Sequence, residues 1–320
     1  MKPTVVITYA DAADTKVEQE VLSAIDPTIL YIRDLASEEG QEAIAEADAV
    51  IVALEEVRAD LIAKMRRCKL ISRLGTGVDS IDVVAATKHN IWVTYVPDYS
   101  MDEVSAHTIT LLLALARRLP RLITLTRQGI WDSRSVRPIQ RLRDQTLGIV
   151  GFGRIGRETA KKGLGLGLNV IIHDPYVDAR AIESGGFQAV NWETLLRTSD
   201  YISLHTPLTE TTYHLIDDQA LSLMKPTAFL INTARGPLID EEALLRAIRS
   251  EQIAGAALDV LTVEPPPPDH PLLHEERIIV TPHIAFYSEA SRRDLHVRGA
   301  EEVVRVLSGQ SPRSPVNQIT

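Results

Sequence analysis

In this chain of 320 residues, three ionisable side chains stand just past apolar, strand-like runs. "FLINTAR" ends at Arg235, "ALDVLTVEPPPP" places Glu264 shortly after Asp259, and "RIIVTPH" ends at His283. In open parallel sheets ligands bind beyond the carboxyl ends of the strands, so such distant residues can converge on one crevice. Arginine offers a planar, two-pronged donor for a carboxylate. Histidine titrates in the range needed to take a hydroxyl proton. A carboxylate beside the imidazole fixes its tautomer and stabilises the imidazolium. Arg235, His283 and Glu264 fill these roles in turn, and the trio suits hydride transfer at the hydroxyl carbon of a 2-hydroxy acid. Taken singly, each has a plainer reading: a helix-terminal surface charge, a loop acid and a hydrogen-bonded strand-end histidine. His205 stands at a strand end facing the same crevice, and the other histidines read as structural. The proline run 265–268 is expected to hold the segment after Glu264 extended and stiff. No metal site is expected, and no GxSxG nucleophile elbow is present.

A second pattern supplies a hydride carrier. "IVGFGRIG" sets Gly151, Gly153 and Gly156 after a strand and at the opening of a helix, and a second strand ends in Asp174, 18 residues past Gly156. This is the dinucleotide fingerprint in its proper context. Gly151 permits the tight turn, Gly153 lets backbone approach a pyrophosphate, and Gly156 lets helix and strand pack closely. The helix N-terminus offers N–H groups and partial positive charge to the phosphates. Asp174 can accept hydrogen bonds from both adenosine ribose hydroxyls, whereas a 2′-phosphate would face its carboxylate. NAD is therefore expected over NADP.

The elements needed to position these groups follow from periodicity. "TVVITYA" (4–10), "ILYIRD", "AVIVAL" and "KLISRL" read as strands separated by helices, and a glycine turn "GTGVD" closes the series. Strands alternating with helices imply a parallel sheet covered on both faces. "SMDEVSAHTITLLLALARRL" (100–119) reads as a helix apolar nearly all round, with Ser100 and Glu103 at capping-box spacing. It is expected to join two domains and contribute to a subunit interface. An arginine-rich connection, 120–145, leads into a second α/β series that begins with "TLGIVG". The final helix, about 288–308, is expected to return to the first domain. The reading is α/β: two doubly wound parallel-sheet domains, with the cofactor domain (99–288) inserted into the other (1–98 plus 289–320).

Composition agrees with an ordinary soluble protein of two domains. The net charge of −9 disfavours non-specific binding to nucleic acid or an anionic membrane. Residues 117–143 nevertheless hold eight arginines against Asp132 alone. The single cysteine, Cys68, excludes an intramolecular disulfide and reads as a small core residue. No signal peptide and no apolar run of transmembrane length are visible, so a cytoplasmic location is the default.

The ordered motifs "RLGTGVDSID", "GFGRIGRE", "HDPY", "SLHTPLT", "FLINTARGPLIDEEAL", "GAALDV", "EPPP" and "TPHIA" resemble the D-isomer-specific 2-hydroxyacid dehydrogenase family. The resemblance implies a Rossmann NAD-binding domain inserted into a flavodoxin-like substrate-binding domain, and a homodimer joined through the apolar helix and the arm after it. It implies that Arg235, Glu264 and His283 are catalytic. Arg154, Ile155, Asp174, His205, Thr206, Pro207, Thr233, Ala234 and Asp259 would line the NAD site beside the three glycines. Gly75, Thr76, Gly77 and Val78 would offer backbone N–H groups to the substrate carboxylate. The chain is also similar to the C-terminal-binding-protein corepressors, a branch that implies substrate contacts from Arg73 and Phe286. The expected activity is NAD-dependent interconversion of a D-2-hydroxy acid and its 2-keto acid in a cleft between the lobes. The phosphoglycerate dehydrogenases and the glyoxylate and hydroxypyruvate reductases are the models. The alternative is an NADH-responsive regulatory protein on the same fold. With the sequence ending at Thr320, no regulatory extension of the kind long phosphoglycerate dehydrogenases carry is expected.

Overall fold

A computed structural model describes residues 2–9 and 12–319. Ala10, included in the expected first strand, lies outside them. The chain divides into two compact units, Met1–Tyr99 with Ser288–Thr320, and Ser100–Tyr287.

The first unit holds strands β1 (Thr4–Ile7), β2 (Thr28–Tyr31), β3 (Ala49–Val52), β4 (Leu70–Arg73) and β5 (Trp92–Thr94). All pair in parallel in the order β2-β1-β3-β4-β5, the flavodoxin-like arrangement. β3 and β4 are buried along their whole length, as expected of parallel strands covered on both faces. The helix Glu289–Leu307 supplies one cover, burying Leu295, Ala300, Val303 and Val306 with Val5, Ile7 and Leu22. Gly299 permits the close approach, because a Cβ there would collide with Leu74. The Ser72 hydroxyl donates to the Gly299 carbonyl at 2.9 Å. The tail is tied back by Asn317, whose side chain accepts the Val93 N–H at 2.8 Å and donates to the Ile91 carbonyl at 2.9 Å. Cys68 is buried in this core, and burial pushes its thiol up to about 12.

The second unit holds β6 (Thr146–Val150), β7 (Asn169–His173), β8 (Gln188–Ala189), β9 (Tyr201–Leu204), β10 (Phe229–Asn232), β11 (Gly255–Leu258) and β12 (Ile278–Val280). Their order is β12-β11-β10-β9-β6-β7-β8, again parallel. The chain runs outward from β6 to β8, then returns to place β9 on the other side of β6. That reversal makes the carboxyl ends of β6 and β9 the topological switch point, where such sheets bind ligands.

The apolar helix is Met101–Ala116, packed on the helix Arg154–Gly165 and on β10 and β11. Ser100 stands at its N-cap but makes no side-chain capping bond, so the expected capping box does not form. Its backbone (φ −133°, ψ 26°) departs from the extended conformation that aims a capping oxygen at the first turn. The arginine-rich connection is partly regular: Leu119–Arg127 is a helix, with Pro120 in its first turn. Proline is tolerated there because the first-turn N–H groups have no intrahelical acceptor.

Candidate active site

The glycine loop follows β6. Gly151 adopts φ +93°, where a side chain is strained, and a Cβ there would sit 2.7 Å from the His205 carbonyl oxygen. A Cβ on Gly156 would collide with the Gly151 carbonyl. Gly153 differs: its φ is −72°, and a Cβ would meet nothing within 4 Å. Packing within the chain therefore demands Gly151 and Gly156 but leaves open space over Gly153. Gly153 is also the N-cap of the helix Arg154–Gly165, and no side chain caps its first turn. Open space over uncapped N–H groups, with exposed Arg154 and half-buried Ile155 beside them, fits a pyrophosphate.

Asp174 closes this loop from β7. One carboxylate oxygen accepts the Phe152 N–H at 2.7 Å and the other the Tyr176 N–H at 2.9 Å. Each oxygen retains a second lone pair for a ribose hydroxyl. His205, at the end of β9, sits against the loop and leads into Thr206 and Pro207. Its half-buried imidazole bonds through Nε2 to the Ser203 hydroxyl at 2.9 Å and is pushed by burial down to about 3. At that value it is uncharged near neutral pH, and its backbone carbonyl abuts Gly151.

The chemistry-bearing side chains gather beyond β10, β11 and β12. His283 Nδ1 lies 2.5 Å from Glu264 Oε2, and both side chains are about 30% exposed (30% and 28%). The other Glu264 oxygen accepts the Leu261 N–H at 2.8 Å. Burial raises the Glu264 pKa. The His283 hydrogen bond and charge, the Leu261 N–H and the Arg235 charge outweigh it, and the net direction is down. An ionised Glu264 only accepts, so His283 Nδ1 carries the proton of that bond and Nε2 remains to exchange one with a ligand.

Arg235 is brought close by backbone packing. A Cβ on the next residue, Gly236, would collide with the Leu261 carbonyl and the Thr262 nitrogen. Glycine lets the Arg235 turn press against the Glu264 loop. The turn itself is set by Asn232, fully buried, which accepts the Ala234 N–H at 3.0 Å and donates to the Arg235 carbonyl at 2.8 Å. Thr233 bonds to the Thr108 hydroxyl at 2.9 Å. The proline segment is not straight: it bends through Pro265 and turns at Pro268–Asp269, with the His270 N–H donating to the Pro267 carbonyl at 2.9 Å.

His283 has φ +50°, unusual outside glycine. Asp259 holds it there. The Asp259 carbonyl accepts the His283 N–H at 2.8 Å, and its carboxylate accepts the Thr281 hydroxyl at 2.5 Å and the N–H groups of Ile284 and Ala285 at 3.0 and 2.9 Å. Phe286 presents its ring edge-to-face with His283, centroids 6.4 Å apart. Asn232, Thr108 and Thr281 were not among the expected site residues; the only sequence signal of Asn232 and Thr281 is a polar residue at the end of an apolar run, and Thr108 lies within a helix that reads as apolar. "HPLLH" does set His270 and His274 four residues apart. His270 faces Glu241 at 3.4 Å and His274 the Pro268 carbonyl at 2.9 Å, and among the described residues no three metal-ligating side chains cluster.

In the first unit, Arg73 and the turn Gly75–Val78 follow β4. Arg73 is buried, its guanidinium folded over Gly75 and donating to the Leu74 carbonyl. Gly75 has φ +139°.

Residues 109–285 match the family model described as D-isomer specific 2-hydroxyacid dehydrogenase, NAD binding domain. The chain belongs to this family. Its larger unit is the family's NAD-binding domain, which carries Arg235, Glu264 and His283 together with the glycine loop. The chain is similar to a D-3-phosphoglycerate dehydrogenase of Methanocaldococcus jannaschii, 40% identical over 88% of this chain and 54% of that protein. It is similar to a glyoxylate reductase of Thermofilum pendens, 38% identical over 86% of this chain and 83% of that one. Among solved structures, a D-lactate dehydrogenase of Aquifex aeolicus complexed with NAD and lactic acid covers 96% of both chains, with TM-score 0.88 and 31% identity. The chain spans about half the length (54%) of the archaeal phosphoglycerate dehydrogenases it matches.

Proposed function

We propose that the protein interconverts a D-2-hydroxy acid and its 2-keto acid with NAD as hydride carrier. The observation that carries the reading is the Glu264–His283 pair at 2.5 Å, with the Arg235 turn packed on the loop that holds Glu264. Gly151, Gly153, Arg154, Ile155 and Gly156 would hold the pyrophosphate, Asp174 the ribose, and Thr206, Pro207, Thr233 and Ala234 the remainder of the coenzyme. When bound, the nicotinamide supplies or accepts the hydride at the substrate carbon.

The chain's own residues do the rest. Arg235 binds the substrate carboxylate and draws electron density onto the carbonyl oxygen. His283 gives a proton from Nε2 to that oxygen in the reducing direction and takes it back in the oxidising one. Glu264 holds the Nδ1–H and stabilises the imidazolium on the protonated side of the cycle. We assign Arg73 and the N–H groups of Gly75, Thr76, Gly77 and Val78 a share in carboxylate binding, on the chemistry of a buried guanidinium beside a glycine turn. Phe286 is assigned to substrate selection because its ring meets that of His283.

A small substrate of the glyoxylate, hydroxypyruvate or lactate type suits this donor set; a phosphorylated acid would need further cations. The corepressor-like alternative gains nothing from the site, since a sensor of NADH has no use for a proton-exchanging Nε2 backed by an ionised glutamate. The test is NADH oxidation against glyoxylate, hydroxypyruvate, pyruvate and 3-phosphohydroxypyruvate. Turnover on one or more of the unphosphorylated acids supports the reading. Tight NADH binding without turnover on any of the four would favour the sensor.

A homodimer is part of the same proposal. Leu119, Ile123, Ile130 and Trp131 are exposed along the arm, Trp131 at 92%, beside a cavity of about 270 Å³ lined in part by Leu115, Arg118 and Phe229. A second copy would cover them. No helix among the described residues is long and apolar enough to cross a membrane. We place the protein in the cytoplasm, in keeping with its lone, buried thiol.

A further inference from the structure

Asp259 is 1% exposed, and its carboxylate is the hub of the turn that carries His283. Taking such a charge out of water costs several kcal/mol unless it is paired and hydrogen-bonded. Two backbone N–H groups and the Thr281 hydroxyl supply hydrogen bonds. The ring facing it comes from elsewhere in the sequence: His107 Nε2 stands 3.6 Å from Asp259 Oδ1 and 3.1 Å from the Thr281 hydroxyl oxygen. His107 lies on the helix Met101–Ala116, one residue before Thr108, whose hydroxyl meets Thr233.

The donor directions follow from the acceptor. An ionised Asp259 cannot donate, so at 2.5 Å the Thr281 hydroxyl gives its single proton to Asp259. The Thr281 oxygen then faces His107 as an acceptor, and His107 must carry its proton on Nε2. The chain of donation is His107 Nε2–H to Thr281 Oγ–H to Asp259 Oδ1. Asp259 in turn clamps residues 281–285 from both its carboxylate and its carbonyl. The clamp holds His283 at φ +50°, a conformation unfavourable for a non-glycine residue unless its surroundings over-determine it.

We propose that His107 is a positioning residue for His283, acting through Thr281 and Asp259. The inference rests on the reading of His283 as the acid–base group. Without the His107 donor, the Thr281 hydroxyl is free to rotate away from Asp259. The buried carboxylate then loses one of its hydrogen bonds, and the turn relaxes out of its left-handed geometry. Displacing a reacting group by about 1 Å costs around a hundredfold in rate. Coenzyme binding at the glycine loop, on another strand, should be left alone.

The experiment compares His107→Ala, His107→Gln, Thr281→Val, Thr281→Ser and His283→Ala in full-length protein. It reads kcat and KM on whichever 2-keto acid the wild type turns over, and NADH affinity by fluorescence. Glutamine places an amide N–H donor near the position of Nε2, and serine keeps the hydroxyl. His107→Ala and Thr281→Val should each lower kcat by about ten- to a hundredfold with NADH affinity within about twofold of wild type. Glutamine and serine should restore most of the rate. The double variant His107→Ala/Thr281→Val should be no worse than the weaker single one. If His107→Ala fails to fold, the Thr281 pair and His107→Gln still decide the matter through the same split between kcat and NADH affinity. Wild-type kcat in His107→Ala or in Thr281→Val, with His283→Ala inactive, overturns this inference alone. Unimpaired His283→Ala overturns the acid–base reading beneath it.

Discussion

The loops after β6 and β12 leave the same end of one parallel sheet, yet they are held by different means. After β6 the constraints lie mostly in the backbone: Gly151 turns at φ +93° against the His205 carbonyl, Gly156 presses on the Gly151 carbonyl, and a strand feeds directly into a helix. After β12 the constraints are polar atoms delivered from other strands. Asp259, beyond β11, clamps the turn, and Glu264, further along the same connection, grips the imidazole. The coenzyme end is built to be shaped, and the proton-transfer end to be oriented. Substitutions that add atoms should therefore damage the first loop, and substitutions that remove charge or a donor should damage the second.

The sharpest way to strain that contrast is Glu264→Gln. The amide nearly preserves volume and still accepts the Leu261 N–H, but it removes the charge that stabilises imidazolium. We expect kcat to fall at least about a hundredfold, as for other orienting carboxylates. NADH affinity should stay near wild type, measured by fluorescence titration. Loss of both together would mean that the two ends are not separable.

A pair of glycine substitutions probes the other end. Gly151→Ala meets both a strained φ and a close contact to the His205 carbonyl oxygen, and should cost about 1–3 kcal/mol of stability. Gly153→Ala meets neither, so its melting temperature should match wild type while NADH binding weakens. If Gly153→Ala binds NADH as well as wild type, the open space over that residue is not where the pyrophosphate lies.

The last probe concerns His205, whose effect on stability emerges only on acidification. Its folded pKa is depressed to about 3 from an ordinary 6.5. The unfolded chain therefore binds a proton at this residue as pH drops below 6.5, and the folded chain does not until about 3. This contribution to stability is complete above the unfolded value and is lost on acidification between the two. Relative to His205→Gln, the wild type should lose up to about 1.4 kcal/mol per pH unit in that window, read by urea unfolding at several pH values. Parallel curves for the two proteins would show that the folded protein does not hold the imidazole neutral as described.

Legibility in the sequence follows the same division. The glycine loop could be read because each of its needs is local: a turn, a close approach and a helix start, all within a few residues of Gly151. The parallel sheets could be read because buried strands are continuous apolar runs. Arg235, Glu264 and His283 could be nominated because polar residues at strand ends are conspicuous. Their supports were not legible. Asn232 does its work through partners in its own turn and Thr281 through Asp259 and His107, far off in sequence, while His107 and Thr108 sit on a helix whose sequence reads as apolar packing. Ser100 shows the converse: its spacing to Glu103 predicts a capping box, but at φ −133°, ψ 26° its side chain makes no capping bond. The arm after Arg118 hides a helix because its arginines obscure the periodicity of Leu119, Leu122, Ile123 and Leu125.

The account stands on a hydride from the nicotinamide and a proton from His283 reaching the same substrate beyond β10, β11 and β12. The most direct measurement uses NADH carrying deuterium at the transferable position of its nicotinamide, with a 2-keto acid that the wild type reduces to a chiral product, and compares wild type with His283→Ala. The account predicts deuterium at C2 of a D-configured hydroxy acid from the wild type, and at least about a hundredfold slower formation in the variant. An L-configured product, deuterium absent from C2, or equal rates in the two proteins would contradict it.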